Sequence, residues 1–243
     1  DTASLAAAVR AATAQGYAIH PRGGGLSYTA GYVPQSERSV VVDTRDMSRI
    51  IELDAEGMTI TVGIGATWEM IDQALAPLGL RLPYFGTFSG RMATVGGGLS
   101  GGALFYGTAR YGAGADHVLD LEIVCADGRV LRTGQAAFRN GKPFYRTHGP
   151  DFTGLFLHDG GALGIKTRAT FRLMERPAHT GFLSWAFPDA LGAAAAVSAL
   201  GRAGTTEEAY VFDPATTARG MAASNLASDL RRLRGIVTGQ GSL

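Results

Sequence analysis

Three short runs rich in glycine stand out as the residues whose type and spacing could do chemistry. The first is Arg22-Gly23-Gly24-Gly25-Leu26-Ser27, entered from Pro21. Consecutive main-chain N–H groups in a glycine turn make a concave nest for an anion. A pyrophosphate needs several such donors at once, because each phosphate carries charge and several acceptors. Side chains would obstruct that approach, and glycine has none. Ser27 adds a hydroxyl donor and Arg22 a positive charge. The alternative is an ordinary flexible loop, and three adjacent glycines between Pro21 and Ser27 weigh against it.

The second run is Thr94-Val95-Gly96-Gly97-Gly98-Leu99-Ser100-Gly101-Gly102. Gly96, Gly98 and Gly101 satisfy G-x-G-x-x-G, yet a Rossmann fingerprint needs a hydrophobic strand immediately before it and an acidic residue closing the next strand. Residues 86–93 do not read as such a strand, so the Rossmann reading is rejected. The third run, Gly160-Gly161-Ala162-Leu163-Gly164, leads into Ile165 and Lys166. Ile165 separates Gly164 from Lys166, so the Walker spacing fails and an ATPase is not indicated. In all, 35 of 243 residues are glycine. That is about twice the usual share, concentrated in clusters rather than in a low-complexity tract.

The elements that must position these runs can be read from periodicity. Thr2 or Ser4 is expected to cap a helix through about Ala14, with Leu5, Val9 and Ala12 inward and Gly16 as its stop. Strands are expected at 17–20, 39–43, 49–54 and 58–64. In the last of these Met58, Ile60, Val62 and Ile64 alternate with Thr59, Thr61 and Gly63, as in a half-buried strand. Thr67 is expected to cap a helix through Pro77 with Met70, Ile71 and Leu75 inward. Residues 80–116 read as a long loop of glycine, small residues and aromatics, which is usually functional. Asp127-Gly128 between apolar runs at 118–126 and 129–133 predicts a hairpin. Residues 152–157 read as helix or turn, and 165–173 as a strand. Pro177 marks a candidate boundary between residues 1–177 and 178–243. Beyond it, strands at 182–187 and 208–213 and helices at 188–204 and after Asp213-Pro214 read as a second domain that begins as βαβ.

Other candidate residues are weaker. His20, His117, His148, His158 and His179 show no metal-ligand spacing and read as structural or surface histidines; His158, beside Asp159-Gly160-Gly161, is the most interesting. Arg110 and Tyr111 suit either an approach to a ligand or support of their loop. Cys125 reads as core, Trp68 and Trp185 as packing residues, and Arg231, Arg232 and Arg234 as an exposed helix face. One cysteine excludes an internal disulfide framework and suggests a reducing, cytoplasmic setting. A formal net charge of +1 gives no basic face for nucleic acid. No apolar run reaches the length needed to span a membrane. The chain opens on Asp1, which implies that the true N-terminus is absent and leaves a signal peptide undecided.

The glycine runs, in this order, resemble the FAD-binding domain of the vanillyl-alcohol oxidase and p-cresol methylhydroxylase superfamily. The segments that carry the resemblance are PRGGGLSYTAGYVP at 21–34, ATVGGGLSGG at 93–102, Tyr111-Gly112, VLDLEIVCADGRVL at 118–131 and GALGIKTRATFRL at 161–173. Within the superfamily the chain is most similar to bacterial FAD-linked oxidases and dehydrogenases of the D-2-hydroxy-acid type. The resemblance implies an α+β fold of two subdomains with FAD between them, followed by the start of an α/β cap over the flavin. It implies that Gly23, Gly24, Gly25, Leu26 and Ser27 hold the pyrophosphate, with Arg22 beside them as a cofactor-binding candidate that could neutralise phosphate or simply be solvated at its strand end. Thr94, Gly96, Gly97, Ser100, Gly101 and Gly112 would line the cofactor from the other side. Gly161, Gly164 and Ile165 would meet its adenosine or flavin end. Some relatives attach FAD through a histidine in the first loop; Leu26 stands there, so non-covalent FAD is expected. Many hydroxy-acid relatives carry Asn-Ala-Gly-Gly where this chain has Gly102-Ala103-Leu104-Phe105, which bears on substrate class. The implied reaction is hydride transfer from a CH–OH donor, such as a 2-hydroxy acid, to flavin N5. Two alternatives share these features: an enolpyruvyl-sugar reductase-like flavoenzyme, and a FAD-binding subunit of a larger complex. The catalytic residue is left unassigned, because in such enzymes the base comes from the cap.

Overall fold

Asp1, rather than Thr2 or Ser4, caps the first helix, α1 (Thr2–Ala14), its carboxylate accepting the Ser4 N–H at 2.8 Å. Ala6 and Val9 form its buried face, against Val124 and Ile165. The computed structural model describes residues 1–86, 89–104, 106–138, 140–147 and 149–222. Strand β1 (Ala18–Arg22) pairs in parallel with β2 (Ser39–Asp43). It runs two residues further than expected, through Pro21. The Ala18 N–H donates to Arg38 and the Arg22 carbonyl accepts from Thr44, so even-numbered residues carry the ladder. Pro21, which lacks an N–H, falls on the register that has no need of one.

The chain then builds an antiparallel five-stranded sheet. Its strands are β3 (Ile50–Asp54), β4 (Thr59–Gly63), β6 (Val118–Val124), β7 (Val130–Arg132) and β8 (Ile165–Arg172), in the order β3-β4-β8-β6-β7. Short strands β5 (Leu80–Arg81) and β9 (Met174–Glu175) form a separate pair. The expected alternation in β4 is corrected: Thr61 and Gly63 are buried as well as Ile60 and Val62. Both faces of β4 are covered, and Thr61 meets its polar requirement by a 2.8 Å hydroxyl bond to Thr170 on β8.

Helix α2 (Trp68–Leu75) is capped by Thr67 as expected and continues as a 3₁₀ turn through Leu78. Its inward residues are Trp68, Ile71 and Leu75, while Met70 is exposed. Trp68 meets Tyr84 and Phe171 edge-on, at centroid distances of 5.6 and 5.8 Å. Helices α3 (Val95–Gly101), α4 (Thr108–Tyr111) and α5 (Phe152–Leu155) break up the long glycine-rich stretch and the approach to β8. Val95, Leu99, Leu121, Ile123, Phe171 and the inward faces of β4 and α2 join in one core. Burying each aliphatic side chain there contributes about 1.5–3 kcal/mol relative to exposure. The Asp127-Gly128 turn forms as predicted, with Gly128 at φ +76° and its N–H on the Cys125 carbonyl. Cys125 is half-buried rather than core.

Two expected strands do not form. Residues 182–187 and 208–213 have no regular structure. A strand needs a hydrogen-bonded neighbour, and neither segment belongs to a described sheet. Trp185 is accordingly exposed, not packed. The two helices expected there are present, as α6 (Ala190–Ala203) and α7 (Pro214–Ala222). Asp213 opens α7 by accepting the Ala215 and Thr216 N–H groups. The described residues fall into two compact units: residues 1–185 with 200–208, and residues 186–199 with 209–222. Within the first, Glu207 makes a bidentate pair with Arg81 and accepts the Tyr111 hydroxyl, and Glu208 accepts the Thr108 N–H. Arg231, Arg232, Arg234 and His148 lie outside the described residues. Among the described residues, no helix is long and apolar enough to cross a membrane.

Candidate functional site

The first two glycine runs press against each other, and the third reaches the first. A Cβ on Gly23 would collide with the Thr94 hydroxyl, and one on Gly24 with the Met92 carbonyl oxygen. On Gly161 it would lie 3.3 Å from Pro21 Cγ. The glycines of the first loop are therefore required by close approach, and Gly25, at φ +70°, also by its left-handed backbone. No acceptor among the described residues takes the N–H of Gly23, Gly24, Gly25 or Leu26. Four successive main-chain donors are thus available to a ligand. Tyr32 steadies the turn by donating to the Gly25 carbonyl at 2.8 Å, with Arg22 over its ring. Arg22 also pairs with Asp43 at 3.4 Å, so its charge is partly committed at the strand end.

Helix α3 divides its residues by face. Val95 and Leu99, one turn apart, are buried. Gly96 and Gly98 lie beside them: a Cβ on Gly96 would meet Ile64 at 2.6 Å, and one on Gly98 the Trp68 ring at 2.8 Å. The Val95 and Gly96 N–H groups are taken by the Ala66 and Ile64 carbonyls. Gly96 thus belongs to packing, not to an open wall. Gly97, Ser100 and Gly101 fall on the opposite face by helical spacing. There is nothing within 4 Å of a Cβ on Gly101, and the nearest atom to one on Gly97 is the Thr94 hydroxyl at 3.5 Å. Thr94 caps the helix from the buried side while touching the first loop. Among the described residues between β5 and α3 there is no strand, in keeping with the rejected Rossmann reading.

The third run closes the arrangement near α1. A cavity of about 290 Å³ is lined by Val9 and Thr13 of α1, Ile19 and Pro21 of β1, and Gly161 to Ile165. Its walls are mostly apolar side chains and glycine backbone, with Thr13 and Tyr17 as the polar members. Gly164, at φ +155°, packs against Ile123, where a Cβ would lie 2.5 Å from Cγ2. Ile165 is buried at the start of β8.

Beneath these loops lies a buried cluster that the sequence did not reveal. Lys166 and Asp159 form an ion pair at 2.7 Å, with side chains 2% and 1% exposed. Lys166 also donates to the Ser100 hydroxyl at 2.8 Å. Burial pulls the Lys166 ammonium below its ordinary pKa, against the upward pull of Asp159. The available signal was a lysine one residue into β8, a strand that also carries Arg168 and Arg172, and there it reads by itself as a surface residue.

The remaining candidates sit elsewhere. Gly112, at φ +88°, ends α4, and its missing side chain makes room for the Asp116 carboxylate. Tyr111 is held by Glu207 and lies under Arg81 and Arg110, which favours loop support over ligand contact. His117 is half-buried, and burial pushes its pKa down against the pull of Asp116. His158 is exposed in a left-handed conformation, its N–H on the Leu99 carbonyl. His20 lies in β1, and His179 is exposed.

Bare main chain on facing loops, with an apolar recess at one end, defines a protein built to hold an extended, anionic, partly aromatic ligand by its backbone. The family described as FAD binding domain matches residues 1–134, and the chain belongs to it. The chain is 31% identical over 193 residues to a D-lactate dehydrogenase of Archaeoglobus fulgidus, covering 77% of this chain and 40% of that protein. It is 35% identical over 160 residues to the glycolate oxidase subunit GlcD of Bacillus subtilis, covering 65% and 32%. A D-2-hydroxyglutarate dehydrogenase of Xanthomonas citri is 29% identical over 183 residues, covering 75% and 37%. A solved structure of alkyldihydroxyacetonephosphate synthase superposes with a TM-score of 0.60 at 25% identity, covering 70% of this chain and 30% of that one. The chain thus spans two fifths or less of the length of these relatives.

Proposed function

We propose that this chain is the cofactor-holding part of a FAD-dependent oxidoreductase that oxidises a CH–OH donor, with a 2-hydroxy acid as the substrate class. The observation that carries the reading is the meeting of Gly23 and Gly24 with Thr94 and Met92, which leaves four main-chain N–H groups uncommitted beside the bare face of α3. The names of the relatives, which include D-lactate and D-2-hydroxyglutarate dehydrogenases, support the substrate class.

In this reading Arg22 to Ser27 hold the diphosphate without a covalent bond, and Gly97, Ser100 and Gly101 form the facing wall. Gly161, Gly164 and Ile165 border the recess for the adenosine end. Thr94 and Gly96 act beneath the wall by fixing α3, and Gly112 shapes the loop that follows it. FAD supplies the two-electron acceptor for a hydride leaving the donor carbon, while the protein supplies orientation and electrostatics. The two-subdomain arrangement of the p-cresol methylhydroxylase type, with residues 178–243 as the start of a substrate-side cap, belongs to the same proposal. The presence of α6 and α7 supports it. No catalytic base is assigned within this chain.

The test is the visible spectrum of the full-length protein, recorded without oxygen before and after adding D-lactate, glycolate and D-2-hydroxyglutarate. A bound flavin that bleaches with one of them is expected. A protein that purifies without flavin and takes up none would overturn the reading. The name of the glycolate oxidase relative, a subunit, supports a second reading in which the chain holds FAD within a larger complex. Flavin that binds but is reduced by no hydroxy acid would favour it, and reduction by NADPH would favour an enolpyruvyl-sugar reductase-like enzyme.

A further inference from the structure

The Lys166–Asp159–Ser100 cluster joins two of the glycine runs from below. Asp159 Oδ1 accepts from Lys166 and from the Gly161 N–H at 3.0 Å, and Oδ2 accepts from the Leu163 N–H at 3.4 Å. The carboxylate therefore holds the backbone of the third loop in place. Ser100 lies on the outer face of α3 with Gly97 and Gly101 and accepts from Lys166. Two main-chain bonds bind the same segments together: the Gly160 N–H to the Ser100 carbonyl and the His158 N–H to the Leu99 carbonyl, each at 2.9 Å.

An ammonium has three donors and no acceptor. In its bond to Ser100 the hydroxyl oxygen must therefore be the acceptor. The hydroxyl proton is left to point elsewhere, and no acceptor among the described residues takes it. The positive charge itself is neutralised by Asp159 at 2.7 Å, so little of it reaches the surface. What Lys166 contributes is direction: it fixes which way the Ser100 hydroxyl donates.

We propose that Lys166 is a positioning residue of the cradle, setting Ser100 as an outward hydrogen-bond donor to the anionic diphosphate of the cofactor while Asp159 holds the third loop. The inference rests on the FAD reading of the same site. Lys166 touches no ligand in this scheme, and Ser100 does.

The experiment measures FAD affinity by fluorescence titration of the full-length apoprotein, with a thermal melt of each apoprotein beside it. Lys166→Met alone would strand a buried carboxylate and endanger folding, so it is paired with Asp159→Asn. Ser100→Ala is expected to weaken FAD about tenfold, the loss of one hydrogen bond to a charged group, and to lower the apoprotein melt slightly, because the buried Lys166 ammonium loses one acceptor. The Lys166→Met/Asp159→Asn pair is expected to weaken it by a similar factor. Lys166→Gln/Asp159→Asn, which keeps a donor toward Ser100 without the charge, is expected to recover most of it. Adding Ser100→Ala to the Met/Asn pair should cost nothing more, because the residues act as one unit. Wild-type affinity in Ser100→Ala, equal loss in the Gln/Asn and Met/Asn pairs, or losses that multiply would each overturn the inference. Failure of the wild-type chain to bind FAD would instead overturn the functional reading on which it rests.

Discussion

Helices α2 and α3 start from the same device and are then put to different uses. Thr67 and Thr94 face each other in an antiparallel bridge, with φ and ψ of −87° and 158° in one and −87° and 153° in the other. Each hydroxyl accepts the N–H three residues on. Each helix buries an aliphatic pair one turn apart, Ile71 with Leu75 and Val95 with Leu99. Around its pair α2 adds Trp68 and polar residues that suit a surface helix. Around its pair α3 has only glycine and Ser100. Its four glycines cost about 3–4 kcal/mol of helix propensity relative to alanine. Gly96 and Gly98 answer that cost by letting α3 sit against Ile64 and Trp68. Gly97 and Gly101 have no packing reason. Their bareness makes sense as a surface kept clear for something that lies along it.

This contrast can be tested by substitution, starting with the side chain on which α2 depends most. Trp68→Ala should destabilise the fold by about 3–5 kcal/mol in denaturant unfolding, as expected for an aromatic residue with 1% exposure. A loss below 1 kcal/mol would mean that α2 does not anchor the core. Gly96→Ala should destabilise by about 1–3 kcal/mol, since the new methyl meets Ile64. Thr67→Ala and Thr94→Ala should each lower stability by about 1 kcal/mol as lost caps. Only the second should also weaken FAD binding, because Thr94 alone backs Gly23. Equal FAD affinity in the two variants would remove the distinction between the helices. Gly101→Ala should have the smallest effect on the fold and the opposite sign. The apoprotein should gain up to about 1 kcal/mol in a thermal melt while its FAD affinity falls. A gain in stability with unchanged affinity would show that the outer face of α3 serves no ligand.

The order of the glycine runs, the Thr67 cap, the Asp127-Gly128 turn and the rejection of a Rossmann strand were legible from residue types alone. Which glycines of α3 turn inward was not, because a residue without a side chain leaves no hydrophobic period to read. Gly96 was therefore grouped with Gly97 and Gly101, although its N–H and its contact with Ile64 belong to the core. The burial of Lys166 was not legible for a related reason: it is made tolerable by Asp159 and Ser100, which folding brings to it. The strands expected at 182–187 and 208–213 show the limit of local pattern. Their apolar residues fit a sheet, but pairing depends on a neighbour that local sequence cannot supply. In β4 the alternation was real, yet Thr61 is buried because Thr170 waits opposite it.

The clasp of Glu207 on Arg81 and Tyr111 makes the first compact unit discontinuous along the chain. A recombinant fragment ending at Pro177 would include every glycine run and still expose a guanidinium that normally has two carboxylate oxygens in front of it. Cleavage by a protease within residues 186–199, by contrast, would cut the covalent chain outside that unit and leave both partners of the clasp in it. Where to trim this protein is therefore decided by a pair of side chains 126 positions apart, and not by the last strand of the sheet.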